Sequence, residues 1–273
     1  MAYKRILTIQ DISCLGQCSM TVALPILSAC GHEVCILPAA VLSTHTGGFG
    51  KPEVINLTAG MDTIRSHWQR ENITFDGIYT GYLGSVEAIQ IASRIMDEML
   101  TPGGKIIVDP AMADHGKLYS GFDEHYAQEM KKLCLRADVM MPNVTEAAMM
   151  TGIPYEANFD RAYILRLLQE LGGADVVLTG AVNEEKRTGV ALRIGDEISF
   201  YTHDRIDQNF HGTGDMFASA FTGAWLQGKN IPEAVKIAAD YTFRCIRNTV
   251  ENPAHWYGVK FETALPYLIE MLQ

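Results

Sequence analysis

The feature that most constrains the fold of this chain is an alternation. Short apolar runs are separated by longer amphipathic ones through the first two-thirds of the sequence. "RILTIQ" from Arg5, "EVCILPA" from Glu33, "GIYTGY" from Gly77, "KIIVDP" from Lys105, "DVMMP" from Asp138 and "DVVLTG" from Asp175 are each apolar on both faces. That is expected of strands covered by helices on two sides. "VEAIQIASRIMDEML", "FDEHYAQEMKKLCL" and "RAYILRLLQELGG" carry apolar residues at helical spacing, and the last closes on a glycine pair. Alternating strands and helices predict an α/β chain, a three-layer α/β/α sandwich around a mainly parallel, doubly wound sheet. "TGVALRIGDEISFYTH" reads instead as two strands around a Gly-Asp turn, a hairpin. The C-terminal third reads as three helices, Gly212 to Gln227, Pro232 to Asn248 and Phe261 to Leu272.

No linker rich in glycine, serine or proline and no internal repeat breaks this pattern, so residues 1–273 read as one domain. With 48% hydrophobic residues the chain has enough apolar material for a substantial core. Its formal net charge of −10 argues against nucleic acid or an anionic membrane as the main partner. A small anionic ligand stays open, because local backbone dipoles can overrule global charge. No apolar run approaches the ~18 residues of a membrane span. "MAYKRILTIQD" has too short an apolar run for a secretory leader, which points to the cytoplasm. Six cysteines are too sparse for a disulfide scaffold, and Cys14 and Cys18 lack a second pair at zinc spacing.

In such a sheet, ligands bind beyond the carboxyl ends of the strands. Those ends read Gln10-Asp11, Gly81-Tyr82, Asp109-Pro110, Pro142-Asn143 and Thr179-Gly180. "NFHGTGDMFASAFTGAW", from Asn209, adds a glycine turn that opens an apolar helix. First-turn N–H groups have no partner within a helix, and glycine lets a ligand come close to them, so the turn is an anion cradle. An acid in that cradle, Asp215, has two readings. It can simply favour the helix dipole, or it can take the proton of a hydroxyl attacking a phosphoryl group that the amides hold. His211 beside the turn reads as a packing residue. No G-x-x-x-x-G-K-[ST] loop, H-E-x-x-H or G-x-S-x-G is present.

"VDP" ending one strand, "PNVTE" ending the next and "GTGD" opening a late helix, in that order, are similar to the signature set of the ribokinase-like superfamily. Within it, "ILTIQDISCLGQCS", "STHTG" and "YTGYLGS" resemble the pyridoxal kinases, and the likeness runs from about Arg5 to the last helix. The resemblance implies ATP-dependent phosphorylation of the hydroxymethyl group of a vitamin B6 vitamer (pyridoxal, pyridoxine or pyridoxamine), a ribokinase-like fold and a homodimer. It implies Asp215 as catalytic base, with Gly212, Thr213 and Gly214 as anion hole. It implies Mg²⁺ held through Asp109 and Glu146, the latter with Asn143 in an N-x-x-E motif. Asp114 and Tyr119 fall on a loop closing over ATP, Thr179 near its phosphates, and Ile206 and Phe210 beside adenine. Thr46 and Tyr82 fall on contacts to the pyridine ring. A monovalent-cation requirement stays open. Two positions depart from the pattern. Asp11 stands where a serine faces the ring nitrogen, and Met141 stands where many relatives have threonine. A hydroxymethylpyrimidine kinase shares the fold and chemistry, but the N-terminal segment lacks that family's dense Gly/Ser run. A sugar kinase would carry a double-glycine lid segment. A silent vitamer-binding protein would have no use for Asp215.

Overall fold

The computed structural model describes residues 3–208, 210–252 and 254–273. Nine strands join in one sheet: β1 (Arg5–Ser13), β2 (Glu33–Leu42), β3 (Val54–Asn56), β4 (Phe75–Thr80), β5 (Leu100–Val108), β8 (Val139–Met140), β9 (Asp175–Asn183), β10 (Arg187–Ile194) and β11 (Glu197–Asp204). Two more, β6 (Ala113–Asp114) and β7 (Lys117–Leu118), form a separate small hairpin. The sheet order is β11-β10-β9-β8-β5-β4-β1-β2-β3. From β9 to β2 every pairing is parallel, while β3 at one edge and β10 and β11 at the other are antiparallel.

Strand side chains alternate between faces, so each apolar run feeds two cores. Leu7, Ile78, Ile106, Met140 and Val176 point to one. Their neighbours Ile6, Tyr79, Ile107, Val139 and Val177 point to the other. The first face is covered by α2 (Thr58–Arg70), α3 (Val86–Met99), α4 (Glu124–Cys134), α5 (Val144–Thr151) and α6 (Arg161–Glu170). The second is covered by α1 (Met20–Ala29), α7 (Thr213–Leu226), α8 (Ile231–Arg247) and α9 (Leu265–Leu272). Each fully buried aliphatic side chain contributes about 1.5–3 kcal/mol of transfer free energy, so the three layers hold together without a central ligand.

Several elements went unread in the sequence, α1, α2, β3, α5 and the β6–β7 hairpin among them. α1 is apolar almost throughout and contains Pro25, so it shows no polar face to read. α2 buries only Met61 fully, and β3 has three exposed residues. β1 also runs three residues beyond Gln10, with a register irregularity against β2 between Gln10 and Ile12. Asp11 therefore lies inside the strand, at a bulge, rather than after it.

α7 is buried on nearly every side, and its small residues explain how. A Cβ on Gly223 would sit 2.4 Å from Cys30 Sγ at the end of α1, so the two helices touch only because that position is glycine. This packing fixes the helix whose first turn carries Gly212 to Asp215.

Candidate active site

The chain leaves β1 toward β2 on one side and later places β4 on the other, so the sheet order reverses between β1 and β4. A crevice opens outside the strand ends at such a point. Two compartments lie there. One, about 280 Å³, is lined by Asp11, Thr46 and Tyr82 among others. The other, about 440 Å³, is lined by Asp109, Asn143, Glu146, Thr179 and Phe210 and runs on toward β10 and α8. They meet at Ala111, Asp114, Tyr119, His211, Gly212 and Asp215, which line both.

The glycine turn stands at this junction. Gly212 has φ +79°, and a Cβ there would lie 1.9 Å from the Gln17 carbonyl oxygen. Only glycine satisfies both demands. The first helical bond of α7 runs from the Met216 N–H to the Gly212 carbonyl, 3.0 Å. The amides of Thr213, Gly214 and Asp215 donate to no described group, and beside Gly214 the space is open for 4 Å. First-turn amides at a positive helix end, beside a cavity, are the geometry an anionic oxygen requires.

Asp215 projects from the same turn. Burial pushes its carboxyl up to about 7, reinforced by the charge of Asp11 and opposed by the backbone N–H of Ser19. Asp11 is 3% exposed. Burial raises its carboxyl too, opposed by hydrogen bonds from the Ser19 and Ser13 hydroxyls, the latter at 3.0 Å. Ser19 lines the same compartment as both acids. It does so with φ 53° and ψ −128°, a strained backbone for a non-glycine residue. Cys18 lies in the same compartment, its thiol pushed well up by burial and by both carboxylates. Neither Ser19 nor Cys18 was singled out as a site residue, although both fall at the end of the segment "ILTIQDISCLGQCS".

The third acid group surrounds α5. Asn143 and Glu146 form a reciprocal capping box. Glu146 accepts from the N–H of Asn143 at 2.9 Å, of Met112 at 2.9 Å and of Ala113 at 3.4 Å. Asn143 donates to the Ala113 carbonyl at 2.8 Å, and Thr145 accepts from the Gly116 N–H at 3.0 Å. One helix turn therefore fastens the β6–β7 hairpin, whose tip, His115-Gly116, has positive φ at both positions as a two-residue hairpin turn demands. The loop expected to close over the nucleotide is this hairpin. Asp109 accepts from the Ala111 N–H at 3.1 Å. Burial and the charges of Glu146 and Asp215 hold its carboxyl well above the usual range. Burial raises Glu146 as well.

Among the described residues no group of three or more His, Cys, Asp or Glu is arranged to hold a metal ion. Two hard carboxylates facing a cavity with free anion donors do suit Mg²⁺, which usually takes one or two protein carboxylates and fills its shell with water and phosphate oxygens.

The remaining sequence candidates divide. Thr179, Phe210 and Thr213 line the larger compartment, while Asp114 and Tyr119 line both. Thr46 and Tyr82 line the smaller one, and Tyr82 also stacks on Phe122 with centroids 5.2 Å apart. Ile206 lines neither, whereas Phe210 lines the larger. The far end of the larger compartment is built from residues the sequence did not mark: Thr188, Gly189, Val190, His203, Thr242 and Ile246. Thr242 has a buried hydroxyl without a partner there. They come from β10, β11 and α8, where apolar periodicity hides any site signal.

The family model for phosphomethylpyrimidine kinase matches residues 50–259. The hydroxymethylpyrimidine/phosphomethylpyrimidine kinase of Bacillus subtilis is 30% identical over 182 residues, covering 66% of this chain and 66% of that protein, just under two-thirds of its length. The crystal structure of pyridoxal kinase from Lactobacillus plantarum superposes with a TM-score of 0.91 at 31% identity, covering 99% of this chain and 98% of that one. A Bacteroides thetaiotaomicron protein described as a phosphomethylpyrimidine kinase, in a crystal form with pyridoxal, gives 0.89 at 36% identity, covering 98% and 96%.

Proposed function

The chain belongs to the phosphomethylpyrimidine kinase family, with a ribokinase-like fold, and on that premise we propose that it transfers the γ-phosphoryl group of ATP to the hydroxymethyl group of a vitamin B6 vitamer. The observation that carries this reading is the junction. Asp215 and the first-turn amides of α7, which donate to no described group, sit where a compartment of about 280 Å³ meets one of about 440 Å³. The smaller suits a flat single ring and the larger a nucleotide.

The ring compound enters between Asp11, Thr46 and Tyr82 with its hydroxymethyl group toward Asp215. The Asp215 carboxylate takes the hydroxyl proton as oxygen attacks the γ-phosphorus in line, and the Thr213 to Asp215 amides hold the phosphoryl oxygens. Asp109 and Glu146 are the residues that would hold Mg²⁺, which when bound neutralises polyphosphate charge. Asn143, Thr145 and Glu146 keep the β6–β7 hairpin over the junction. Asp114 and Tyr119 on that hairpin, with Thr179 and Phe210, bound the nucleotide.

The family match and the Bacillus relative favour a second substrate, hydroxymethylpyrimidine, in the same site. The whole-length likeness to a pyridoxal kinase and to a pyridoxal-bound protein supports the B6 reading over it. A coupled assay with ATP and pyridoxal, pyridoxine, pyridoxamine or hydroxymethylpyrimidine decides. Turnover of hydroxymethylpyrimidine alone would refute the B6 reading.

Asp11 sharpens that test. An ionised carboxylate can only accept a hydrogen bond, so a ring nitrogen facing it binds best protonated. Asp11→Ser is expected to raise KM for the vitamer by roughly three- to tenfold with little change in kcat. It should also alter the pH profile of kcat/KM. Identical profiles and equal KM for all three vitamers would remove Asp11 from ring recognition.

Glu146→Gln is expected to act on two readouts. An amide nitrogen would face a backbone N–H now bonded to the carboxylate, at a cost of about 1–2 kcal/mol in urea unfolding. The Mg²⁺ concentration for half-maximal rate should rise. A stability loss with an unchanged Mg²⁺ titration would reduce Glu146 to the cap and hairpin clasp alone.

A further inference from the structure

The crevice has an electrostatic deficit. Asp11, Asp109, Asp114, Glu146 and Asp215 line one or both compartments, yet among the described residues no lysine or arginine lines either. A phosphoryl group in transfer spreads charge over its equatorial oxygens and needs donors or cations against them. Protein kinases and P-loop enzymes meet this need with lysine or arginine.

Three histidines line the compartments, and two are committed elsewhere. His45 is buried, with Nδ1 accepting from the Gly47 N–H at 3.0 Å and Nε2 2.7 Å from the Tyr257 carbonyl oxygen. His203 has Nδ1 2.9 Å from the Asp204 carbonyl oxygen and lines only the larger compartment. His211 differs in each respect. It lines both compartments, directly precedes Gly212, and its ring hydrogen-bonds to no described residue. Its position is nevertheless defined. The ring lies over Gly47, where a Cβ would come within 2.3 Å of Cε1, and its centroid is 4.9 Å from that of His45. Packing holds the ring, and among the described residues its nitrogens have no hydrogen-bond partner.

We propose that His211 is a catalytic residue whose imidazole N–H donates to an oxygen of the transferring phosphoryl group. It joins the α7 amides in supplying the compensation that no lysine or arginine provides. The assignment rests on the phosphoryl-transfer reading above and is independent of which ring is the acceptor. In the step, the bond from the β–γ bridging oxygen to phosphorus breaks and the bond from the acceptor oxygen forms. The diphosphate keeps the electron pair, Asp215 receives the hydroxyl proton, and His211 gives up no proton.

The test compares wild type with His211→Asn and His211→Ala. It measures kcat and both KM values with whichever ring compound the wild type phosphorylates. It also measures the affinity for ADP alone and for ADP with Mg²⁺ and fluoroaluminate, a mimic of the transferring group that needs no acceptor. Expected are a kcat lowered roughly 10- to 100-fold, the usual worth of one such donor or somewhat less, and ADP affinity within threefold. The extra affinity conferred by fluoroaluminate should shrink by a similar factor to kcat. Melting temperatures with ADP bound verify that the variants fold. The proposal is overturned if kcat stays within threefold. It is also overturned if the loss lies only in KM for the ring compound, which would make His211 a packing element of the Gly47 loop, or if fluoroaluminate tightens binding as in wild type. A wild type that accepts only hydroxymethylpyrimidine would end the B6 reading and leave this assignment standing.

Discussion

Asp215→Asn is expected to lower kcat by roughly 10²–10⁴-fold, the usual worth of a positioned general base, while nucleotide binding persists. Asparagine is nearly isosteric and can still accept a backbone N–H at the helix start, so the turn should keep its shape. The carboxyl is held up to about 7 by burial. A base must be ionised, so wild-type kcat/KM should climb with pH through about 7 and level off, and the variant should lose that limb. Stability moves the other way. A carboxyl raised in the folded state makes that state bind more protons than the unfolded chain, so its contribution is largest below the ordinary carboxylate range and fades as pH rises toward 7. Asp215→Asn should therefore gain stability relative to wild type at pH 8 and little at pH 4. Steady-state rates and urea unfolding at both pH values test this together. A kcat within a few-fold of wild type would return Asp215 to the role of a helix-start residue.

Gly212→Ala is expected to damage fold and activity together. The residue has φ +79°, and the new methyl carbon would meet a backbone oxygen, Gln17 O, at 1.9 Å. Backbone cannot swing aside as a flexible side chain can. Relief requires moving the loop that carries Cys18 and Ser19, which lines the same compartment as Asp215. Strain of this kind costs roughly 2–4 kcal/mol, and kcat/KM should fall more than about 100-fold. Gly214→Ala supplies the contrast. No atom lies within 4 Å of its Cβ position, and its φ is not in the left-handed region. That variant should melt like wild type yet lose activity, because its methyl occupies the volume assigned to the phosphoryl group. Wild-type activity in Gly214→Ala would move the anion site away from the turn. A wild-type urea midpoint in Gly212→Ala would show that the loop yields freely.

The sequence determined what local chemistry can encode. Apolar runs from Ile6 to Val177 specified strands buried on two faces, and strand–helix alternation specified the parallel sheet. The Gly212–Asp215 turn announced a helix start with first-turn donors, while the cap that Asn143 and Glu146 form emerged only in the structure. Each signal lies within a few residues, where backbone geometry and side-chain period act directly. α1 and β3 escaped because a helix apolar on all sides and a three-residue edge strand carry no period, and α2 because it buries only Met61 fully. What only the tertiary structure decided is which distant groups share a space. It put Ser19 in one compartment with Asp11 and Asp215, and placed Asp11 inside a bulged strand. It set His211 between two compartments that no lysine or arginine lines, left Ile206 outside them, and brought Thr242 in from α8. None of these follows from spacing along the chain. Each results from sheet order and helix packing, which bring together residues up to two hundred positions apart and set burial, and burial sets the carboxyl shifts.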